Sequence, residues 1–217
     1  SIDNYELMVR GLVFLLMMAV VLGGGELEEA DKCYEIGLAL AEQGHYTDAQ
    51  KEFQKAIDLN PKFSDAFFQL GMMLAMQQNL KDAELKFRAA VKLNGKVGEY
   101  HTMVGICCVQ QGKLRQAERA FYKAVELNPE DPTAHFNLGM VFEKRNKRKK
   151  AEESYLEAVN LHGGEAKYHR KLAKILEKNG KLERAKIYYE NLLKFDASDE
   201  EATQALASLE IRLATKT

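Results

Sequence analysis

The feature that most constrains the fold of this chain is a sequence repeat with a 34-residue period. One series of small residues begins at Gly37, a second begins at Ala49, and an aromatic series begins at Phe53. A fourth series, typical of helix ends, begins at Pro61. Four registers that share one period over five copies predict a repeat protein built from stacked units. The series are Gly37, Gly71, Gly105, Gly139 and Ala173; Ala49, Ala83, Ala117, Ala151 and Ala185; Phe53, Phe87, Phe121, Tyr155 and Tyr189; and Pro61, Gly95, Pro129, Gly163 and Ala197.

Each repeat is predicted to be a pair of antiparallel helices. The chain has only three prolines and is rich in Ala, Leu, Glu and Lys, which favour helix. Small residues let the two helices of a pair approach closely, and Pro or Gly stops the second helix. The first helices are predicted near residues 30–43, 64–77, 98–111, 132–145 and 166–179, their partners near 46–59, 80–93, 114–127, 148–161 and 182–195, and a last helix over 199–213.

The stretch CYEIGLALAEQGHYTDAQKEFQKAIDLNP, residues 33–61, resembles the tetratricopeptide repeat family. The resemblance covers roughly residues 30–198. It implies an all-α fold, a right-handed α-solenoid of five helix pairs plus a C-terminal capping helix. We therefore expect an apolar N-terminal segment with a glycine-rich tether at residues 1–25, five repeats at 26–198 and the cap at 199–217.

Composition limits the function. The chain has 217 residues, and its 31 Lys and Arg balance 32 Asp and Glu, so no basic excess indicates a nucleic-acid partner. Its three cysteines have no metal-binding or redox spacing, which favours a reducing compartment such as the cytoplasm. One of them, Cys107, is expected to be partly exposed. No phosphate-binding loop, metal signature or nucleophile motif occurs. The sequence therefore predicts a protein that is not an enzyme, with no catalytic residue, no metal and no cofactor.

Three histidines, His101, His135 and His169, also follow the 34-residue period. Equivalent positions in stacked helix pairs should lie about 10 Å apart, whereas ligands of one zinc ion lie about 2 Å from the metal. We expect these side chains to pack between helices.

In this family the first helix of each pair lines a concave groove, and the resemblance implies which residues face it. Members that clamp the acidic tails of chaperones place Lys, Asn and Arg early in the groove, but this sequence has apolar residues there. The resemblance thus implies an apolar trough across four repeats, with a basic rim in the fifth. The groove residues are Tyr34, Leu38, Phe68, Met72, Ala75, Met76, Thr102, Ile106, Val109, Phe136 and Met140, and the rim residues are Lys167, Arg170, Lys174 and Lys178.

A trough of this length exceeds the apolar patches that soluble monomers usually expose, so we expect a partner to cover it. A hydrophobic or amphipathic helix bound in the groove is the natural ligand. The basic rim, together with the run KRNKRKK at residues 144–150, is either a solvated face or a contact for acidic partner residues or anionic lipid.

The apolar stretch LVFLLMMAVVL, residues 12–22, has several interpretations. It is short for a membrane span, which needs ~20 apolar residues. It could be a ligand for the trough in its own or a neighbouring molecule, a cap on the first repeat, a secretion signal or a membrane anchor. If the stretch is a ligand for the trough, a homo-oligomer is allowed, and we expect it to contact Tyr34, Leu38, Phe68, Met72, Met76, Ile106 and Met140.

The function predicted from the sequence is a non-catalytic adaptor or chaperone that binds a helical segment of a partner protein. The alternative is a membrane-associated assembly scaffold of the pilus, secretion or magnetosome type, located by its N-terminal segment.

Overall fold

The structure, a computed structural model, describes residues 24–215. The chain divides into two compact units, Ser1–Gly95 and Lys96–Thr217. Every regular element within residues 24–215 is a helix, and no strand occurs there.

The first unit contains four helices among its described residues. Helix α1 occupies residues 24–42 and is followed by α2 (Tyr46–Leu59), α3 (Ser64–Met76) and α4 (Leu80–Leu93). Helix α3 packs against both α2 and α4. The core of this unit contains Cys33, Phe53, Ile57, Leu70 and Met73.

The second unit contains seven helices among its described residues, and each packs on the next. Their bounds lie within two residues of the predicted ones, so the helix boundaries read from the 34-residue period are confirmed. The helices are α5 (Gly98–Gln110), α6 (Leu114–Leu127), α7 (Pro132–Lys144), α8 (Arg148–Leu161), α9 (Ala166–Lys178), α10 (Leu182–Phe195) and α11 (Glu200–Ala214).

The recurring glycines allow the two helices of each of the first four repeats to approach closely. A Cβ atom built on Gly37 would lie 2.6 Å from Cε1 of Phe53, which is fully buried. The equivalent distances are 2.7 Å from Gly71 to Phe87, and 2.6 Å both from Gly105 to Phe121 and from Gly139 to Tyr155. Real Cβ contacts are not this short, so the aromatic ring takes the space that any other residue's side chain would need.

The turn between the two helices of each repeat follows the same 34-residue period. One residue of each turn has a positive φ, between 57° and 81°. Glycine adopts this conformation without the steric cost that a Cβ atom brings, and asparagine tolerates it better than most residues. The five residues are Gly44, Gln78, Gly112, Asn146 and Gly180.

The first helix begins earlier than the sequence predicts. Gly24 and Gly25 are helical and continuous with residues 26–42, so the expected flexible tether is wrong for these two residues. Glycine costs about 1 kcal/mol relative to alanine inside a helix but does not prevent it. Extending an existing helix forms one hydrogen bond for each residue that it orders, which offsets part of this cost. Gly23 and the apolar stretch at 12–22 lie outside the described residues.

Candidate protein-binding surface

In the first unit, most of the predicted groove residues are partly accessible. Tyr34 and Leu38 on α1, and Met72 and Ala75 on α3, are half-buried. Met76, at the end of α3, is 51% exposed. Five apolar side chains on the first helices of this unit therefore remain in part available to a partner.

Phe68 differs from these residues because it is 7% exposed. Its ring centroid lies 5.6 Å from that of Phe87 on the second helix of the same repeat. Phe68 packs against Phe87, the ring that faces Gly71, so Phe68 contributes more to the core of its repeat than to a groove surface.

One apolar residue on this surface was missed by the family pattern. Leu27 is 50% exposed and lies seven residues before Tyr34 and eleven before Leu38. At about 100° per residue, those spacings place all three on one stripe of α1. The sequence prediction missed Leu27 because it began the first helix near residue 30. Extending the helical period to earlier residues would have identified it.

In the second unit, Ile106, Val109, Phe136 and Met140 are half-buried. Phe136 is held by aromatic neighbours, with ring centroids 5.6 Å from Tyr155 and 4.9 Å from Tyr168. Together, Ile106 and Val109 on α5 and Phe136 and Met140 on α7 provide partly accessible apolar surface in this unit.

Thr102 is 4% exposed and directs its hydroxyl back to its own helix. Its Oγ1 donates a hydrogen bond to the carbonyl oxygen of Gly98 at 3.3 Å. A threonine bonded in this way is not a strong contact for a partner.

A cavity of about 530 Å³ lies at the N-terminal ends of α5 and α7 in the second unit. Three of its lining residues occupy groove positions of the third repeat, at its second, fifth and ninth residues. The predicted groove set includes Thr102 and Ile106 but none of the other seven lining residues, most of which lie on the loops or beside the groove stripe. The lining residues are Val97, Gly98, Glu99, Thr102, Met103, Ile106, Asn128, Asp131 and Thr133.

The basic rim is paired with carboxylates of the same unit. Arg170 forms an ion pair with Asp199, the N-cap residue of α11. The Nζ atom of Lys174 lies 2.6 Å from Oε1 of Glu201. Lys178 Nζ lies 2.7 Å from Oε1 of Glu143, and Lys167 Nζ lies 3.3 Å from Oε2 of Glu165.

Glu143 is the centre of one network that includes a rim residue. It accepts hydrogen bonds from the hydroxyl of Tyr155 at 3.0 Å, from Lys171 at 3.2 Å and from Lys178 at 2.7 Å. Burial alone would raise the pKa of Glu143, but the hydrogen bonds and lysine charges outweigh it and lower the pKa to about 2. Glu177, one repeat later, accepts from Tyr189 and pairs with Arg212 in the same pattern.

The run at residues 144–150 is also partly used inside the unit. Arg145 and Lys147 both pair with Glu118, the latter with Nζ 2.9 Å from Oε1. Lys147 and Lys150 place their Nζ atoms 5.6 and 5.7 Å from the ring centroid of Phe142. This run therefore contributes to contacts between successive helix pairs as well as to a solvated turn.

Two of the three periodic histidines form an equivalent structural contact. Nε2 of His135 lies 2.9 Å from the carbonyl oxygen of Pro129, and Nε2 of His169 lies 2.9 Å from that of Gly163. A carbonyl oxygen only accepts, so Nε2 carries the proton in both rings. His169 is buried against the rings of Tyr188 and Phe195.

Potential metal ligands do not gather into a group of three or more anywhere in residues 24–215. Cys33, Cys107 and Cys108 are reduced thiols that are not disulfide-bonded, and all are buried. The sequence left Cys107 as partly exposed, but it is 1% exposed because it lies on the core face of α5.

None of the helices within residues 24–215 is both long enough and apolar enough to cross a membrane. The expected contacts of residues 12–22 with the groove lie outside the described part of the chain.

Solved structures with similar folds cover most of the chain. The crystal structure of MamA protein matches with a TM-score of 0.71 and 20% identity, over 80% of this chain and 95% of that one. YrrB, described as a TPR protein with an unusual peptide-binding site, matches with a TM-score of 0.71 and 20% identity, over 82% and 92%. PilF of Pseudomonas aeruginosa gives 0.72 and 21%, over 87% and 92%. These similarities confirm the predicted fold class, an all-α repeat solenoid.

No curated protein sequence matches the chain. Family models are more informative. One model described as tetratricopeptide repeat matches residues 34–96 and 109–166, and a second with the same description matches residues 166–199. Together they cover well over half of the sequence and include part or all of every repeat read from the 34-residue period. The chain belongs to the tetratricopeptide repeat family.

Proposed function

We propose that this chain is a non-catalytic adaptor or chaperone whose first helices bind the apolar face of a helical segment in a partner protein. Membership of the tetratricopeptide repeat family supports a role in protein–protein interaction. The observation that carries the finer proposal is the set of accessible apolar side chains at groove positions. In the first unit this set includes Met76, and Leu27 extends it along α1; each is about half exposed.

The character of these side chains suits an apolar helix. Methionine has an unbranched, polarisable side chain that adapts its shape to different apolar surfaces. Met72 and Met76 in the first unit, and Met103 and Met140 in the second, lie on first helices and are all partly accessible. An amphipathic helix presents apolar residues at intervals of three and four, which matches a groove lined by helices.

The test is a binding measurement with substitutions in one unit at a time. Met72→Asp in the first unit and Ile106→Asp in the second place a charge in the proposed apolar contact. We expect each to weaken binding of a selected amphipathic helix by about tenfold or more, because a charge buried without a partner is costly.

The matched controls replace exposed apolar residues of second helices in the same units. Leu85 on α4 is 64% exposed and Ile187 on α10 is 53% exposed. Leu85→Asp and Ile187→Asp should leave the affinity unchanged. Equal losses from the groove and control variants would contradict the assignment of the binding surface.

A membrane-associated assembly scaffold is the second candidate. The observation that favours it is the uninterrupted apolar sequence at residues 12–22. In a flotation experiment with lipid vesicles, this function predicts that the full chain floats and that a Leu15→Lys, Val20→Lys double variant does not. If the full chain stays with the soluble fraction, the scaffold would have to be located by other means.

A further inference from the structure

We propose that the partner helix is basic, with lysine or arginine residues beside its apolar face that meet carboxylates of this chain. This inference rests on the proposed function and specifies the chemistry of its partner. It differs from one of the sequence-based interpretations of the basic rim, in which those residues contact an acidic partner. The argument starts from the 530 Å³ cavity at the N-terminal ends of α5 and α7.

The lining of the cavity combines apolar side chains with two carboxylates. Val97, Met103 and Ile106 are half-buried side chains of its lining. Of the two lining carboxylates, Glu99 is exposed and Asp131 is half-buried. No lysine or arginine is among the residues that line it. A long cationic side chain suits this lining, because its aliphatic stem can cover apolar surface while its charged end meets a carboxylate.

Asp131 has one carboxylate oxygen to offer. Oδ1 accepts a hydrogen bond from the backbone N–H of Thr133 at 2.8 Å and caps α7. Neither Asp131 nor Glu99 is in an ion pair with any residue between 24 and 215. Their negative charges are therefore not compensated within the described part of the chain.

Unlike these two carboxylates, the cations of the predicted rim are already paired with opposite charges. Lys167, Arg170, Lys174 and Lys178 each have an acidic partner in the second unit. Meeting an acidic ligand would require these pairs to be shared or broken. The second unit thus offers a partner uncompensated carboxylates and compensated cations.

The first unit has a similar arrangement of residues. The residue equivalent to Glu99 in the first repeat is Asp31, which is exposed. Residues 24–42 contain six carboxylates and one lysine. Asp31 lies between Leu27 and Tyr34 on the accessible apolar stripe of α1. Both units therefore combine accessible apolar side chains with carboxylates at the same repeat position.

The experiment is a selection from a displayed library of amphipathic helices. Every member has the same apolar stripe, and the flanking positions are randomised between Lys and Glu. Sequencing of the helices retained by the full chain measures the ratio of Lys to Glu. We expect an excess of Lys of about threefold per contacting position, a modest factor because exposed ion pairs are weak.

The variant that tests the cavity is Glu99→Gln with Asp131→Asn. Asparagine remains a good N-cap, so this change removes charge while it keeps the start of α7. The excess of Lys should fall at the positions that contact the second unit. The matched control is Glu126→Gln, which removes an exposed carboxylate of α6 that does not line the cavity. It should leave the excess unchanged.

The possible outcomes separate this inference from the proposed function. If the retained helices have equal Lys and Glu, or an excess of Glu, the basic partner is wrong. If the same helices are no longer retained by the Ile106→Asp variant, helix binding itself still stands. Retention that is indifferent to Ile106→Asp and Met72→Asp would overturn both. If a peptide of residues 8–22 outcompetes every retained helix at all salt concentrations, the occupant is the chain's own apolar segment and the basic partner is wrong.

Discussion

A Cβ atom on Gly105 would lie 2.6 Å from Cε1 of Phe121, on the facing helix of the same repeat. Phe121 is 1% exposed, so its ring has no free space into which to move. The closeness of α5 and α6 therefore depends on the absence of a side chain at residue 105. The same relationship recurs in the first, second and fourth repeats.

Gly105→Ala should lower the free energy of unfolding by about 1–3 kcal/mol, the usual cost of overpacking a well-filled core. Urea denaturation measures it. Combining it with Phe121→Leu should recover part of the loss, because the smaller side chain leaves room for the methyl group. The control is Gly164→Ala, whose Cβ atom would meet only the His162 ring, at 3.6 Å. Similar losses for the two single substitutions would contradict the steric explanation.

Gln78 occupies the turn position at which three other repeats have glycine, with φ of 63°. A left-handed conformation costs a residue with a Cβ atom roughly 1–2 kcal/mol, and the greater flexibility of glycine in the unfolded chain offsets part of that. Gln78→Gly should therefore raise the free energy of unfolding by about 0.5–1 kcal/mol. The converse change, Gly112→Ala, should lower it by a similar amount; both are measured by urea denaturation. A loss of stability from Gln78→Gly would be inconsistent with this account.

Stability should fall in acid partly because of Glu143. Its pKa in the folded protein is about 2, below its ordinary 4.5, so the unfolded chain binds this proton more tightly. The stabilisation is present above about pH 4.5 and is lost as the pH falls through about 2. Between these pH values the free energy of unfolding of the wild type should fall by on the order of 1–2 kcal/mol more than that of Glu143→Gln. This figure is reduced because solvent screens the exposed lysine partners of Glu143.

The control for this measurement is Glu157→Gln, which alters an exposed carboxylate of α8 that is in no ion pair with residues 24–215. Its stability should follow the wild-type pH dependence. If Glu143→Gln has the same pH dependence as the wild type, the network around Glu143 does not stabilise the folded state.

Arg170 should contribute more to stability than to partner binding. It pairs with Asp199, which is 9% exposed and also accepts a hydrogen bond from the N–H of Ala202 at 2.9 Å. Arg170→Leu leaves that carboxylate without its cation and should cost about 1–3 kcal/mol. Relative to the wild type, this variant should show a larger increase in the rate of amide hydrogen exchange in α11 than in α5. Lys167→Leu is the control, because its exposed pair with Glu165 contributes at most about 1 kcal/mol. Equal exchange in the two variants would contradict a role for Arg170 in holding α11.

Much of the fold could be predicted from the sequence because each repeat specifies itself locally. Gly71 and Phe87 lie on the two successive helices of one repeat, and their contact depends only on that helix pair. The helix boundaries follow from the same period. The helical conformation of Gly24 and Gly25 could not be predicted as well, since glycine disfavours helix locally whereas these two residues are continuous with the helix at 26–42.

The candidate surface was predicted less completely than the fold. The family pattern located Leu38, Met72, Ile106 and Met140 on partly accessible faces. It also included Phe68, which is buried, because a pattern of groove positions carries no information on how a particular aromatic ring turns. It missed Met103 and Asp131, since a cavity formed by a helix and a loop has no period of its own.

The sequence by itself determined the number of repeats, the positions of their helices and the glycines that let them approach, because these depend on residues close together in the chain. Only the tertiary structure decided which charges remain available to a partner. Arg170 and Asp199 are 29 residues apart, and Lys178 and Glu143 are 35 apart. Whether such side chains meet depends on how one helix pair packs on the next. A charge is compensated only when an opposite one lies within a few ångströms, and a balanced composition does not reveal that distance.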